Sequence, residues 1–185
     1  PAGQFTVTAV ATGLNFPVAM AFAPDGRLFF NEWFTGKVRI MDPGWSLRPT
    51  AFYQVPDLAT GGERGMLGIA LDPDFAANRY VYIYYVAAGP DRCRLLRLKE
   101  VDNVGTEPTY IFDNLPAGTI HNGGSLNFGP DGKLYVTTGD STAASEREAQ
   151  NPSSLNGKVL RINKDGTIPA DNPSPGSAVW ALGLR

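Results

Sequence analysis

One histidine occurs in the chain, His121, and a carboxylate, Asp140, follows nineteen residues later. Both lie near glycine, in His121-Asn122-Gly123-Gly124 and Gly139-Asp140. A carboxylate beside an imidazole fixes its tautomer and strengthens it as a base. Such a pair can take a hydroxyl proton near neutral pH, the work of a general base. Metal ligation is the weaker reading, because one histidine with scattered carboxylates is a poor ligand set. Each residue also has a plainer reading. His121 could bond its own hairpin. Gly139-Asp140-Ser141-Thr142 could be a turn in which Asp140 accepts backbone N–H bonds. Glu63-Arg64 could be an exposed ion pair of little energetic value. Gly123-Gly124 reads first as turn geometry and second as room for a flat ligand to approach.

The pair is useful only if the chain brings it together, and a repeat says how. Ala21-Phe22-Ala23-Pro24-Asp25-Gly26-Arg27-Leu28-Phe29-Phe30 recurs as Leu126-Asn127-Phe128-Gly129-Pro130-Asp131-Gly132-Lys133-Leu134-Tyr135. Ile69-Ala70-Leu71-Asp72-Pro73-Asp74-Phe75, followed by Tyr80 to Val86, is a looser copy. Each copy reads as strand, turn, strand, with proline and glycine supplying the turn angles. A third strand follows each hairpin, around Lys37–Ile40, Arg94–Leu98 and Lys158–Ile162. Its alternation of polar and apolar residues predicts a half-buried strand. About four strands per roughly 50 residues is the grammar of a β-propeller blade. We therefore expect an all-β chain, one partial propeller domain over 1–185. It should hold three blades, around Pro24, Pro73 and Pro130, with no separate second domain. A fourth blade is expected to start at Val179, and Ala143 to Gln150 should make a helical turn or two inside a loop.

Aligning the copies on their prolines matches His121 with Arg64 and Asn15, each just before a first strand. Glu63 falls one place earlier. First strands line the channel of a propeller, so these residues converge on one mouth. Folding the third hairpin about Asp131-Gly132 puts position 140 opposite 123, about two residues from His121 across the ladder.

Composition removes several other functions. Hydrophobic residues are 43% and charged residues 18%, which suits a folded core. Net charge is −2, so no basic surface is implied and nucleic acid is not an expected partner. No apolar run reaches the roughly 18 residues of a membrane-spanning helix. Cys93 is the single cysteine, which excludes an intrachain disulfide and a Cys-rich metal site.

Longer strings carry a resemblance. They are Glu63-Arg64-Gly65-Met66-Leu67-Gly68-Ile69-Ala70 with Asp72-Pro73-Asp74-Phe75, and His121 through Tyr135 to Gly139-Asp140. Asn156-Gly157-Lys158-Val159-Leu160-Arg161-Ile162-Asn163, Asp165 to Pro173 and Trp180-Ala181-Leu182-Gly183-Leu184-Arg185 follow. In this order they resemble the glucose/sorbosone dehydrogenase family, the PQQ-dependent aldose sugar dehydrogenases, over nearly the whole chain. Propellers of the Hedgehog-interacting type share several of these strings.

The resemblance implies a six-bladed propeller, of which this chain is about the N-terminal half, with PQQ over the channel. It implies oxidation of aldose sugars at the anomeric carbon to lactones, with His121 as general base and Asp140 orienting it. Arg185 matches the arginine that contacts the quinone, and Glu63 stands where a glutamine commonly faces PQQ. Ser125 stands where some members have arginine. Calcium ligands are expected beyond this chain. The implied partners are a sugar, an electron acceptor and either the missing half of the propeller or a homodimer mate. The implied location is periplasmic or secreted. Two other readings stay open: a non-catalytic carbohydrate- or protein-binding propeller, and a calcium-dependent lactone hydrolase with Glu32, Glu63 and Asp140 as candidate ligands.

Overall fold

The computed structural model describes residues 5–141 and 143–185. Its strands form three four-stranded antiparallel sheets, each continuous in sequence. The first contains β1 (Pro17–Phe22), β2 (Leu28–Glu32), β3 (Lys37–Met41) and β4 (Tyr53–Gln54). The second contains β5 (Met66–Leu71), β6 (Tyr80–Ala87), β7 (Arg92–Val101) and β8 (Val104–Leu115). The third contains β9 (Gly123–Phe128), β10 (Leu134–Thr138), β11 (Lys158–Ile162) and β12 (Val179–Leu182). Strand order follows chain order within each sheet, and β5 lies against both β1 and β9. Three meandering sheets with their first strands in contact are the blades of a partial propeller. Val179–Leu182 is the outer strand of the third blade and not the start of a fourth, because it pairs antiparallel with β11.

The blades stack face to face over two cores. Phe29, Val38, Ile40 and Phe52 of the first sheet pack with Met66, Ile69, Val81, Ile83 and Tyr85 of the second. Tyr82, Tyr84, Val86 and Leu95 of the second pack with Leu126, Leu134, Val136, Leu160 and Ile162 of the third. The middle sheet is therefore covered on both faces. This is why Tyr80–Ala87 is an apolar run with no alternation. Each such side chain contributes about 1.5–3 kcal/mol on burial, so these two interfaces dominate the stability.

Three polar residues expected on half-exposed third strands are buried: Arg94, Lys158 and Arg161. Each is inside because it is fully partnered. Lys158 Nζ donates to the carbonyls of Glu148, Ala149 and Asn156. Arg161 bonds Asp131, Asp171 and Asn172, and Arg94 bonds Asp57 and Asp113. The second copy of the repeat also differs from the others. Pro73-Asp74 leads into a short helix, α1 (Phe75–Asn78), with Phe75 buried, instead of a tight glycine turn. The helical stretch expected in the third blade is a 3-10 helix over Ala143–Gln150.

The two outer flanks differ from each other. The first sheet exposes Val18, Met20 and Phe22, and residues Ala11 and Leu14 pack on its Leu28, Phe30 and Met41. The third sheet instead shows Tyr135 and Trp180 in edge contact, with the Arg161 guanidinium over the indole. The aliphatic flank is thus on the first sheet, and the third sheet's flank is more polar. The Tyr80–Val86 region is sealed between its neighbours.

Ion pairs tie the blades at the end away from His121. Lys164 of the third blade lies 2.7 Å from both Asp72 and Asp74 of the second. Burial pushes the Asp72 carboxyl up, but hydrogen bonds from Lys164, Asn78 and the Asp74 N–H outweigh it and hold it below its ordinary 3.8. A lowered carboxyl gives stability that is present above the ordinary value and lost as pH falls through the folded one. Lys164→Met should therefore cost about 1–3 kcal/mol in urea melts near neutral pH, since it leaves buried Asp72 short of its cation. The gap to wild type should narrow on acidification below about pH 4. A gap independent of pH would contradict this pairing.

Candidate active site

Asn15, Arg64 and His121 each stand two residues before the first strand of their blade, so the proline alignment holds in three dimensions. Asp140 stands two residues beyond β10, at the same end of the third sheet. The register differs from the simple hairpin count. Phe128 pairs with Leu134, Asn127 with Tyr135 and Leu126 with Val136, but a bulge then pairs Gly123 with Thr138. The hairpin itself pairs one residue off that count and the bulge adds a second, which together carry Asp140 from a place opposite Gly123 to one opposite His121. The Ser141 N–H donates to the His121 carbonyl at 3.1 Å. His121 Nδ1 and Asp140 Oδ1 are 2.8 Å apart, with side chains 16% and 6% exposed. Thr142, the last residue of the expected turn, lies outside the described residues.

His121 has φ +57°, a left-handed conformation uncommon for a residue with a side chain. Its neighbours hold it there. The Glu63 carboxylate, from the second blade, accepts the His121 backbone N–H at 2.7 Å. Asn122 is buried, and its side-chain amide accepts from the Gly118 N–H and donates to the Gly118 carbonyl. The Tyr84 hydroxyl donates to the Asn122 carbonyl at 3.1 Å. Burial raises the Tyr84 phenol well above its ordinary value, so it remains a donor. Burial likewise pushes the Cys93 thiol up to about 12, so it is no thiolate nucleophile.

The glycines here serve packing. A Cβ on Gly124 would lie 2.6 Å from Leu67 Cβ and 3.0 Å from the Tyr84 ring, and one on Gly139 would lie 1.7 Å from the His121 carbonyl oxygen. Gly124 lets β9 approach β5, and Gly139 lets the Asp140 strand approach His121. Sequence reading missed Asn122 and Tyr84 as supports. The asparagine at least lies inside a motif, whereas Tyr84 is one tyrosine within an apolar run and gives no signal.

The other candidates are placed differently. Glu63 joins His121, but Arg64 does not pair with Glu63: its guanidinium binds Asp91 and the Gly61 carbonyl. Arg185 is exposed beyond β12. Its neighbour Leu184 bonds Gly157, and Gly157 bonds Gly139, so the chain end shares the Asp140 end of the sheet. The structure does not bring Arg185 into hydrogen-bond contact with His121 or Asp140. Glu32 is bonded by Thr35, Arg39 and the Asn15 N–H, and no hydrogen bond links it to His121. Among the described residues no three His, Cys, Asp or Glu side chains gather to hold a metal. No helix among them is long and apolar enough to cross a membrane.

An antiparallel propeller with a histidine–carboxylate pair where its first strands converge is the class of protein these features define. The glucose/sorbosone dehydrogenase family model matches residues 14–185, and the chain belongs to that family. Quinoprotein glucose dehydrogenase B of Acinetobacter calcoaceticus is 31% identical over 98% of this chain and 45% of its own length. The mouse Hedgehog-interacting protein is also 31% identical, over 97% of this chain and 30% of its own length. Among solved structures, the PQQ-bound aldose sugar dehydrogenase of Streptomyces coelicolor is 37% identical with a TM-score of 0.88. That match covers 97% of this chain and 54% of that one. The chain thus spans about half the length of the dehydrogenases it matches.

Gly139→Ala should destabilise the protein by about 1–3 kcal/mol or more, since the new methyl meets main chain that cannot rotate away. It should also push Asp140 away from His121. An unchanged melting curve with the His121–Asp140 contact intact in a crystal structure would refute the close approach.

Proposed function

We propose that the whole protein is a PQQ-dependent dehydrogenase that oxidises aldose sugars at the anomeric carbon to lactones, with His121 as general base. The observation that carries this reading is the 2.8 Å His121–Asp140 pair at the mouth. Asp140 accepts from Nδ1–H and so presents Nε2 as the proton acceptor. Nε2 has no hydrogen-bond partner among the described residues. The anomeric hydroxyl proton goes to Nε2 as that carbon gives up a hydride, leaving the lactone carbonyl.

The residues present fit one edge of an anionic quinone. His121 is partly exposed at the mouth, and the exposed Arg185 guanidinium offers a positive charge at the same end of the blade. When bound, PQQ supplies the two-electron acceptor. Arg185 and Glu63 are assigned here as cofactor contacts, Arg185 stabilising negative charge on the quinone side. Calcium is assigned to ligands outside this chain. The partners of the reading are a sugar, an electron acceptor and a second half-propeller that covers the open flanks. That half is favoured over a homodimer mate because one chain then supplies one His121 per channel. A periplasmic or secreted location accords with this chemistry.

The similarity to the Hedgehog-interacting protein favours one other reading, a propeller that binds without redox chemistry. Activity separates the two. In the complete protein loaded with PQQ, His121→Ala should lower kcat by about 10²–10⁴ while cofactor affinity changes less. Asp140→Asn should keep binding and lower the rate through loss of the imidazole's orientation. Unchanged sugar-dependent dye reduction in both variants would remove the pair from the mechanism.

A further inference from the structure

The His121 main chain is held from a different blade. Its N–H is bound by Glu63 Oε2 at 2.7 Å, across 58 residues of sequence. A carboxylate acceptor makes this a charge-assisted bond, about twice as strong as a neutral one. The turn that carries Glu63 is itself braced. Its N–H donates to the Thr119 carbonyl at 2.8 Å, two residues before His121. Gly61 and Arg64 close the turn as an isolated bridge, and the Arg64 guanidinium ties it to Asp91 between β6 and β7. Gly62 sits so near Thr119 that a Cβ there would be 2.2 Å from its carbonyl oxygen. The second blade therefore grips residues 119–121 at two points, and one of them is the amide of a histidine in a left-handed conformation. Left-handed backbone in a residue with a side chain persists where surrounding contacts over-determine it.

We propose that Glu63 is a positioning residue: its carboxylate fixes the His121 backbone so that the imidazole meets Asp140. The role goes beyond a cofactor contact, because it acts without any ligand. It rests on the reading of His121 as the base, so the test separates the two. Glu63 is exposed and belongs to neither core, so its replacement should leave the fold intact and lower the melting temperature by only a few degrees.

These 185 residues contain one histidine, and ¹⁵N-histidine labelling of the complete protein, with the His121 signals assigned by their loss in His121→Gln, reports its amide and its pair of ring nitrogens. In Glu63→Ala the His121 amide should exchange with solvent about tenfold faster or more, the worth of one hydrogen bond to a charged group. The ring nitrogens, which should report an Nδ1–H tautomer in the wild type, should shift toward an average of the two tautomers. Glu63→Gln keeps an acceptor oxygen and should recover most of the protection and the tautomer. Equal protection and an unchanged tautomer in Glu63→Ala would overturn the proposal, and so would failure of Glu63→Gln to recover. Asp140→Ala is the separate control. If it leaves the ring nitrogens unchanged, the His121–Asp140 pair of the functional reading fails, while the amide exchange still decides the role of Glu63.

Discussion

Between β5 and β9 the main chains come so close that a Cβ on Gly68 would lie 1.9 Å from the Gly124 carbonyl oxygen. Much at the mouth depends on that approach. It sets the turn before β5 against the segment before β9, which lets Glu63 reach the His121 amide. It also presses Leu67 and Tyr84 around Gly124, and Tyr84 in turn holds the Asn122 carbonyl. The apolar core below supplies the energy that keeps the sheets together. The polar contacts at the rim convert that packing into a position for one imidazole. A histidine in left-handed backbone is a local cost, and the interface between two blades is what offsets it.

The fold was legible because its signals are short-range and repeated. Pro-Asp-Gly turns fix hairpins locally, and three copies locate three sheets without any long-range knowledge. The equivalence of Asn15, Arg64 and His121 followed from the same spacing. Legibility failed where packing between sheets decided the outcome. Neither the exact centre of the hairpin nor the bulge before it has a signature in the residue pattern, and each moved the register by one residue, so counting from the turn misplaced Asp140 by two. Lys158 and Arg161 alternate like solvent-facing residues, yet the Ala143–Gln150 segment and the loop around Asp171 supply enough acceptors to bury them. The Glu63–Arg64 doublet looked like an ion pair, but neighbours in sequence on a turn point to different partners.

The unlike flanks bear on how the chain is completed. The first sheet shows an aliphatic face with Val18, Met20 and Phe22 uncovered, the third a face built on Tyr135, Arg161 and Trp180. Since the chain spans about half of the dehydrogenases it matches, a remaining half would meet both faces. It would need an apolar sheet toward the first and a more polar one toward the third. An arrangement of two identical copies would instead set the aliphatic flank of each against the polar flank of the other, a poorer chemical match.

The account stands on a base that takes the anomeric proton while the sugar is oxidised. Its most direct test is a single anaerobic turnover of the complete protein loaded with PQQ and mixed with an aldose, with no dye present. The account predicts that the bound-quinone absorbance disappears and that one lactone appears for each cofactor bound. Persistence of the quinone spectrum with the sugar recovered unchanged would contradict it.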